Sequence, residues 1–219
     1  MSVKKLLILA AAGLVSTSAL AGGASNYSAP AAMSSEDQVG LYVGVNAGWA
    51  ENNWKSAAGN HGGSWNSAGG TSGTFAGGVD VGYSFNEWLA LELGGWWLPS
   101  EAKYTGTAGG TSKWQTWDVY LAGKGTVELY EDLNVFGKFG VAYTRVAYTS
   151  GAVVTDHATT SNQNNWEPLF GVGLSYNFAQ DWDVNAQYMY IMGNNSSDGT
   201  VNSAPQNILS LGVAYTFAM

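Results

Sequence analysis

Asp80, Glu92, Lys124 and Lys138 are the charged residues of this chain whose spacing suggests a joint task. Each belongs to a stretch in which apolar residues alternate with small or polar ones, and each falls on the small/polar side. Each is also about four to six residues from a short turn, so the four are expected at similar height in one enclosure. Two acids and two bases in a narrow, poorly solvated space should pair, because an unpaired buried charge is costly. Such a cluster can act as a plug that fills the space and fixes register, or as a gate for small ions.

Other chemistry has little to work with. The chain has no Cys, which excludes disulfides, thiolate catalysis and Cys-based metal sites. Its two histidines, His61 and His157, stand in loop-like sequence with Ser64 and Asp156 nearby. A lone loop histidine is ordinarily solvated. There is no nucleophile elbow, HExxH or phosphate-binding loop. The Gly pairs at 62–63, 69–70 and 109–110 read as loop flexibility. We therefore expect no catalytic residue, no cofactor and no metal site.

The elements that must hold the charges are strands. In Trp166 to Phe178 the residues Trp166, Pro168, Phe170, Val172, Leu174, Tyr176 and Phe178 share one face of an extended chain, opposite Glu167, Leu169, Gly171, Gly173, Ser175 and Asn177. The same two-faced pattern recurs at about 39–50, 73–85, 88–98, 116–128, 134–147, 182–192 and 207–217, giving eight strands. Connections alternate long and short: loops near 51–72, 99–115, 148–165 and 193–206, and turns at 85–88, 130–133 and 179–181. This rhythm predicts an all-β fold, an eight-stranded antiparallel up-and-down transmembrane β-barrel with short turns in the periplasm and long loops outside. Closure leaves no open sheet edge, which lipid would not tolerate.

Alternation alone fits a soluble lipocalin-like barrel equally well. Side-chain size separates the two. The less apolar face is mostly Gly, Ala, Ser and Asn with scattered charges, which suits the cramped interior of eight strands rather than a wet exterior. Only 11% of residues are charged, against roughly 25% in soluble domains. The net charge of -8 argues against nucleic acid as a partner. Lys4 and Lys5, the apolar run Leu6 to Val15 and Ala19-Leu20-Ala21 form an export signal over 1–21. Residues 22–38 read as a flexible lead-in, and 39–217 as the barrel.

Aromatic residues cluster at the strand ends. Trp49, Trp97, Trp117, Tyr143 and Trp166 mark the long-loop end, and Phe85, Trp88, Phe178, Trp182 and Phe217 the short-turn end. Two girdles anchored at the two membrane interfaces are expected.

Several segments carry a family likeness: Gly40-Leu41-Tyr42-Val43-Gly44 with Gly48-Trp49, Leu91-Glu92-Leu93-Gly94, Glu131-Asp132-Leu133-Asn134-Val135 and, most specifically, Leu209-Ser210-Leu211-Gly212-Val213-Ala214-Tyr215-Thr216-Phe217. On these the chain resembles the transmembrane domain of the OmpA family over roughly 39–217. The resemblance implies the cell outer membrane of a Gram-negative bacterium. Full-length family members continue into a periplasmic peptidoglycan-binding domain, whereas here the expectation is the barrel alone. Family barrels contain interior ionic pairs proposed to gate a narrow pore. Glu92, Lys124 and Lys138 match charged positions of that pattern, while Asn185 and Ser175 stand where it has a base and an acid.

The expected role is structural, in envelope integrity and surface presentation. The alternatives are a narrow porin-like channel gated by the lumen charges, and an adhesin acting through the outer loops. Expected partners are outer-membrane lipid and lipopolysaccharide, the barrel-assembly machinery reading the C-terminal strand, and a host or phage ligand at the loops.

Overall fold

A computed structural model describes residues 39–53, 64–65, 71–105, 111–130, 132–149, 160–193 and 203–218. The expected export signal at 1–21 and the expected lead-in at 22–38 lie outside these residues, as do His61, Asp156 and His157. The strands are β1 (Gly40–Asn53), β2 (Ser64–Trp65), β3 (Thr71–Ser84), β4 (Leu89–Thr105), β5 (Thr111–Tyr130), β6 (Leu133–Thr149), β7 (Thr160–Ala179), β8 (Trp182–Ile191) and β9 (Gln206–Ala218). Apart from the two-residue β2, which pairs only with the tip of β4, these are eight long strands. Each is antiparallel to its neighbours, and β1 pairs with β9 from Gly40↔Ala218 to Asn52↔Gln206. That last ladder closes the sheet into a barrel.

Side-chain alternation gives the barrel its polarity. Val43, Val45, Val79, Leu91, Leu93, Val119, Leu121, Phe170, Val172 and Leu211 are exposed on the outer surface. Tyr42, Asp80, Glu92, Trp96, Asp118, Tyr120 and Lys138 are buried inside. Apolar outside and polar inside is the arrangement lipid demands, and it is the reverse of a lipocalin-like barrel. Tyr42, Trp96, Tyr120 and Phe136 are the large side chains that fill much of the interior.

The three short turns fall where the pattern put them, and the first shows its cause: Asn86 Oδ1 accepts from the backbone N–H of Trp88 and of Leu89, each at 2.9 Å. Two of the long loops differ from expectation. Most of 99–115 is strand, since β4 and β5 pair up to Thr105↔Thr111, and β6 and β7 likewise pair up to Thr149↔Thr160. The apolar alternation used to mark strand ends stops where lipid contact stops, but the hydrogen-bond ladder continues. Within β4 the register shifts between Leu98 and Ala102, at Pro99, which has no N–H for a ladder. Pro168 is accommodated differently: its carbonyl still accepts from Met192 at 3.0 Å, one step beyond Leu169↔Ile191, so the missing N–H costs a bond only at the end of the β7–β8 ladder.

Candidate functional site

The centre of the lumen is organised around Glu92. Its side chain is fully buried. Oε1 accepts from Lys138 Nζ at 2.5 Å and from the Tyr120 hydroxyl at 2.7 Å, and Oε2 accepts from the Tyr42 hydroxyl at 2.8 Å. The four residues come from β4, β6, β5 and β1, so one carboxylate ties half the barrel wall together. An anion removed from water is tolerable here because a cation and two hydroxyls replace its hydration.

Two glycines make this arrangement possible. Gly82 is directly across the β3–β4 ladder from Glu92, and a methyl group on it would collide with the Tyr42 ring. Gly94 is directly across from Tyr120, whose ring would meet a side chain there in the same way. The small residues of the inner face are thus the counterparts of specific large ones.

The four predicted charges do not form two ion pairs. Lys138 and Glu92 pair, and theirs is the ion pair among the described residues. Asp80 instead accepts from Asn46 Nδ2 at 2.7 Å, and Asn46 Oδ1 accepts in turn from Gln187 at 3.1 Å. Lys124 is directly opposite Lys138 across the β5–β6 ladder. Its ammonium lies 5.0 Å from the centroid of the Tyr42 ring and 4.7 Å from that of Phe136, which Lys138 also faces at 5.3 Å. Neutral amides and aromatic faces therefore do what the second acid–base pair was expected to do, because opposite charges on these walls do not all come within reach.

Below this knot the barrel opens at its short-turn end. A mouth of about 530 Å³, open solvent included, reaches up to Tyr42 and Lys124, with Ser175, Asn177 and Asp183 on its wall. Ser175 and Asn185, the two positions at which charges are absent relative to the gate pattern, are cross-strand neighbours. Nearer the long-loop end a second polar layer joins Asp118, Thr144, Glu167 and Gln206. Sequence reasoning put Asp118, Thr144 and Glu167 on the inner face without joining them, and it gave Tyr42 and Tyr120 no role. Their position on the small/polar face was the available signal.

The predicted girdle residues Trp49, Phe85, Trp88, Trp97, Trp117, Trp166, Phe178, Trp182 and Phe217 are all exposed on the outside. Tyr143 is half-buried against Trp166, ring centroids 5.2 Å apart. Trp97 is directly across from Trp117, and Trp182 packs on Tyr215 at 5.0 Å. Trp96, by contrast, points inward and is 3% exposed.

The family of OmpA-like transmembrane domains matches residues 36–219. The chain belongs to this family. It is an outer-membrane β-barrel protein, and its outer surface sits in membrane lipid. Outer membrane protein A of Serratia marcescens is 29% identical over 141 residues, 64% of this chain and 38% of that protein, so the chain spans less than two-fifths of that relative's length. Among solved structures, Neisserial surface protein A superposes with a TM-score of 0.56 at 16% identity, covering 81% of this chain and 97% of that one. The outer-membrane protein OprG of Pseudomonas aeruginosa gives a TM-score of 0.55 at 14% identity, covering 84% and 99%. At such identities the likeness is one of fold.

Proposed function

We propose that this OmpA-like barrel serves the outer membrane structurally, as a closed scaffold that stiffens the envelope and presents its long-loop end at the cell surface. The observation that supports this is the buried Glu92 carboxylate, which accepts from Tyr42, Tyr120 and Lys138 and so fills the middle of the lumen with their side chains. The β4–β5 and β6–β7 hairpins add to it. β5 continues six residues past Trp117 to Thr111, roughly 20 Å of strand beyond the outer aromatic girdle. The two girdles hold the barrel at the lipid and lipopolysaccharide interfaces, and β9, ending at Phe217-Ala218, is the strand offered to the assembly machinery. No catalytic role forms part of this reading. Deleting the protein should sensitise cells to detergent, and the intact chain should restore resistance. Unchanged sensitivity after deletion would contradict the structural role.

One observation favours a second reading, a narrow gated pore. Lys124 has no hydrogen bond or ion pair among the described residues, yet it faces Lys138 across the ladder and shares the Phe136 ring with it. A carboxylate that exchanged Lys138 for Lys124 would open the knot. Conductance steps that disappear in a Lys124→Met variant would favour the gate over the plug.

A further inference from the structure

The upper polar layer has more buried oxygen than its hydrogen bonds use. Asp118 on β5 and Glu167 on β7 are 1% and 2% exposed. The Thr144 hydroxyl lies 2.7 Å from Asp118 Oδ1 and 3.2 Å from Glu167 Oε2. From β9, on the facing wall, Gln206 Nε2 donates to Asp118 Oδ1 at 3.0 Å. Asp118 Oδ2 and Gln206 Oε1 have no hydrogen-bond partner. Asn52, directly across the β1–β9 ladder from Gln206 and 1% exposed, has neither of its side-chain polar atoms partnered. Among the described residues no cation pairs with Asp118.

Buried polar atoms left open in this way call for an occupant. The open oxygens are a carboxylate and amide carbonyls, a set that selects hard cations, with the Asn52 Nδ2 amide group open beside them. A cation would fill the open oxygens and also balance Asp118, which water alone would not. The ligands are spread over facing walls. Calcium accepts an irregular shell of about 6–8 oxygens at roughly 2.3–2.6 Å, whereas magnesium demands a tight octahedron. We propose that the upper lumen holds a calcium-type divalent cation between Asp118, Gln206 and Asn52. The bound ion pins β5 to β9 across the barrel and so stiffens the long-loop end.

The test uses the folded full chain in detergent micelles after treatment with chelator. Calcium binding is followed by calorimetry and by the temperature at which the folded gel band is lost. Terbium supplies an optical probe, because the buried Trp96 is directly across from Asp118 and can sensitise it. The wild type should show one saturable site and a higher melting temperature in calcium. Asp118→Asn should weaken binding about tenfold or more, the scale on which loss of a supporting group already acts. Asn52→Leu leaves every charge in place and should also weaken it, which covers the case of an Asp118 variant that does not fold. Absence of saturable binding in the wild type, as for a water-filled layer, would overturn the proposal. So would undiminished affinity in both variants, which would place the ion elsewhere.

Discussion

Glu92 and Lys138 meet at 2.5 Å although β5 runs between their strands. The contact is possible because the residue that intervenes is small. Ala122 stands level with Glu92 on one side and with Gly140 on the other, so the two long side chains pass over it. The pair is therefore a bond across the curve of the wall, made by size complementarity as much as by charge.

Breaking the pair from one side should be costly. Glu92→Gln or Lys138→Met each leaves a buried partner unmatched, a loss of about 3–5 kcal/mol. The double variant should lose less than the sum, with a coupling of about 0.5–3 kcal/mol in urea unfolding from lipid vesicles. Strict additivity would show that the two residues do not act as a unit.

The space beside the tyrosines should matter independently of charge. Gly94→Val places a branched side chain where the Tyr120 ring lies. Overpacking of this kind costs about 1–3 kcal/mol. Combining it with Tyr120→Ala should recover part of that loss. A Gly94→Val barrel as stable as the wild type would remove Gly94 from the account.

How far the sequence carries this structure depends on distance along the sheet. The period of two in Trp166–Phe178 gives strand type, face and neighbours, because it is a local consequence of the pleat. Inner position is equally legible: Asp80, Glu92, Lys124 and Lys138 do share the inner side. Who meets whom across the lumen is not legible, since that depends on tilt and shear, which no single strand encodes. Hence Asp80 finds Asn46 rather than a lysine, and Gln206 finds Asp118 from 88 residues away. The extensions of β5 and β7 escaped for another reason. Above the lipid the sequence has no need to alternate apolar and polar residues, although the backbone still pairs.

The aromatic girdles make a spectroscopic prediction. In single-tryptophan variants reconstituted with brominated lipids, Trp88 and Trp182 should be quenched at one interface, and Trp97, Trp117 and Trp166 at the other. Trp96, buried in the lumen, should resist quenching. Equal quenching of Trp96 and Trp97 would mean that the inner and outer faces of β4 have been misassigned.

Planar-bilayer conductance of the folded protein reads whether the side chains gathered on Glu92 close the lumen. A lumen closed by packing gives a silent wild type, and a Glu92→Gln/Lys138→Met barrel that is less stable but equally silent. Regular conductance steps in the wild type that change size or frequency in the double variant would contradict it, and would make the same residues a gate.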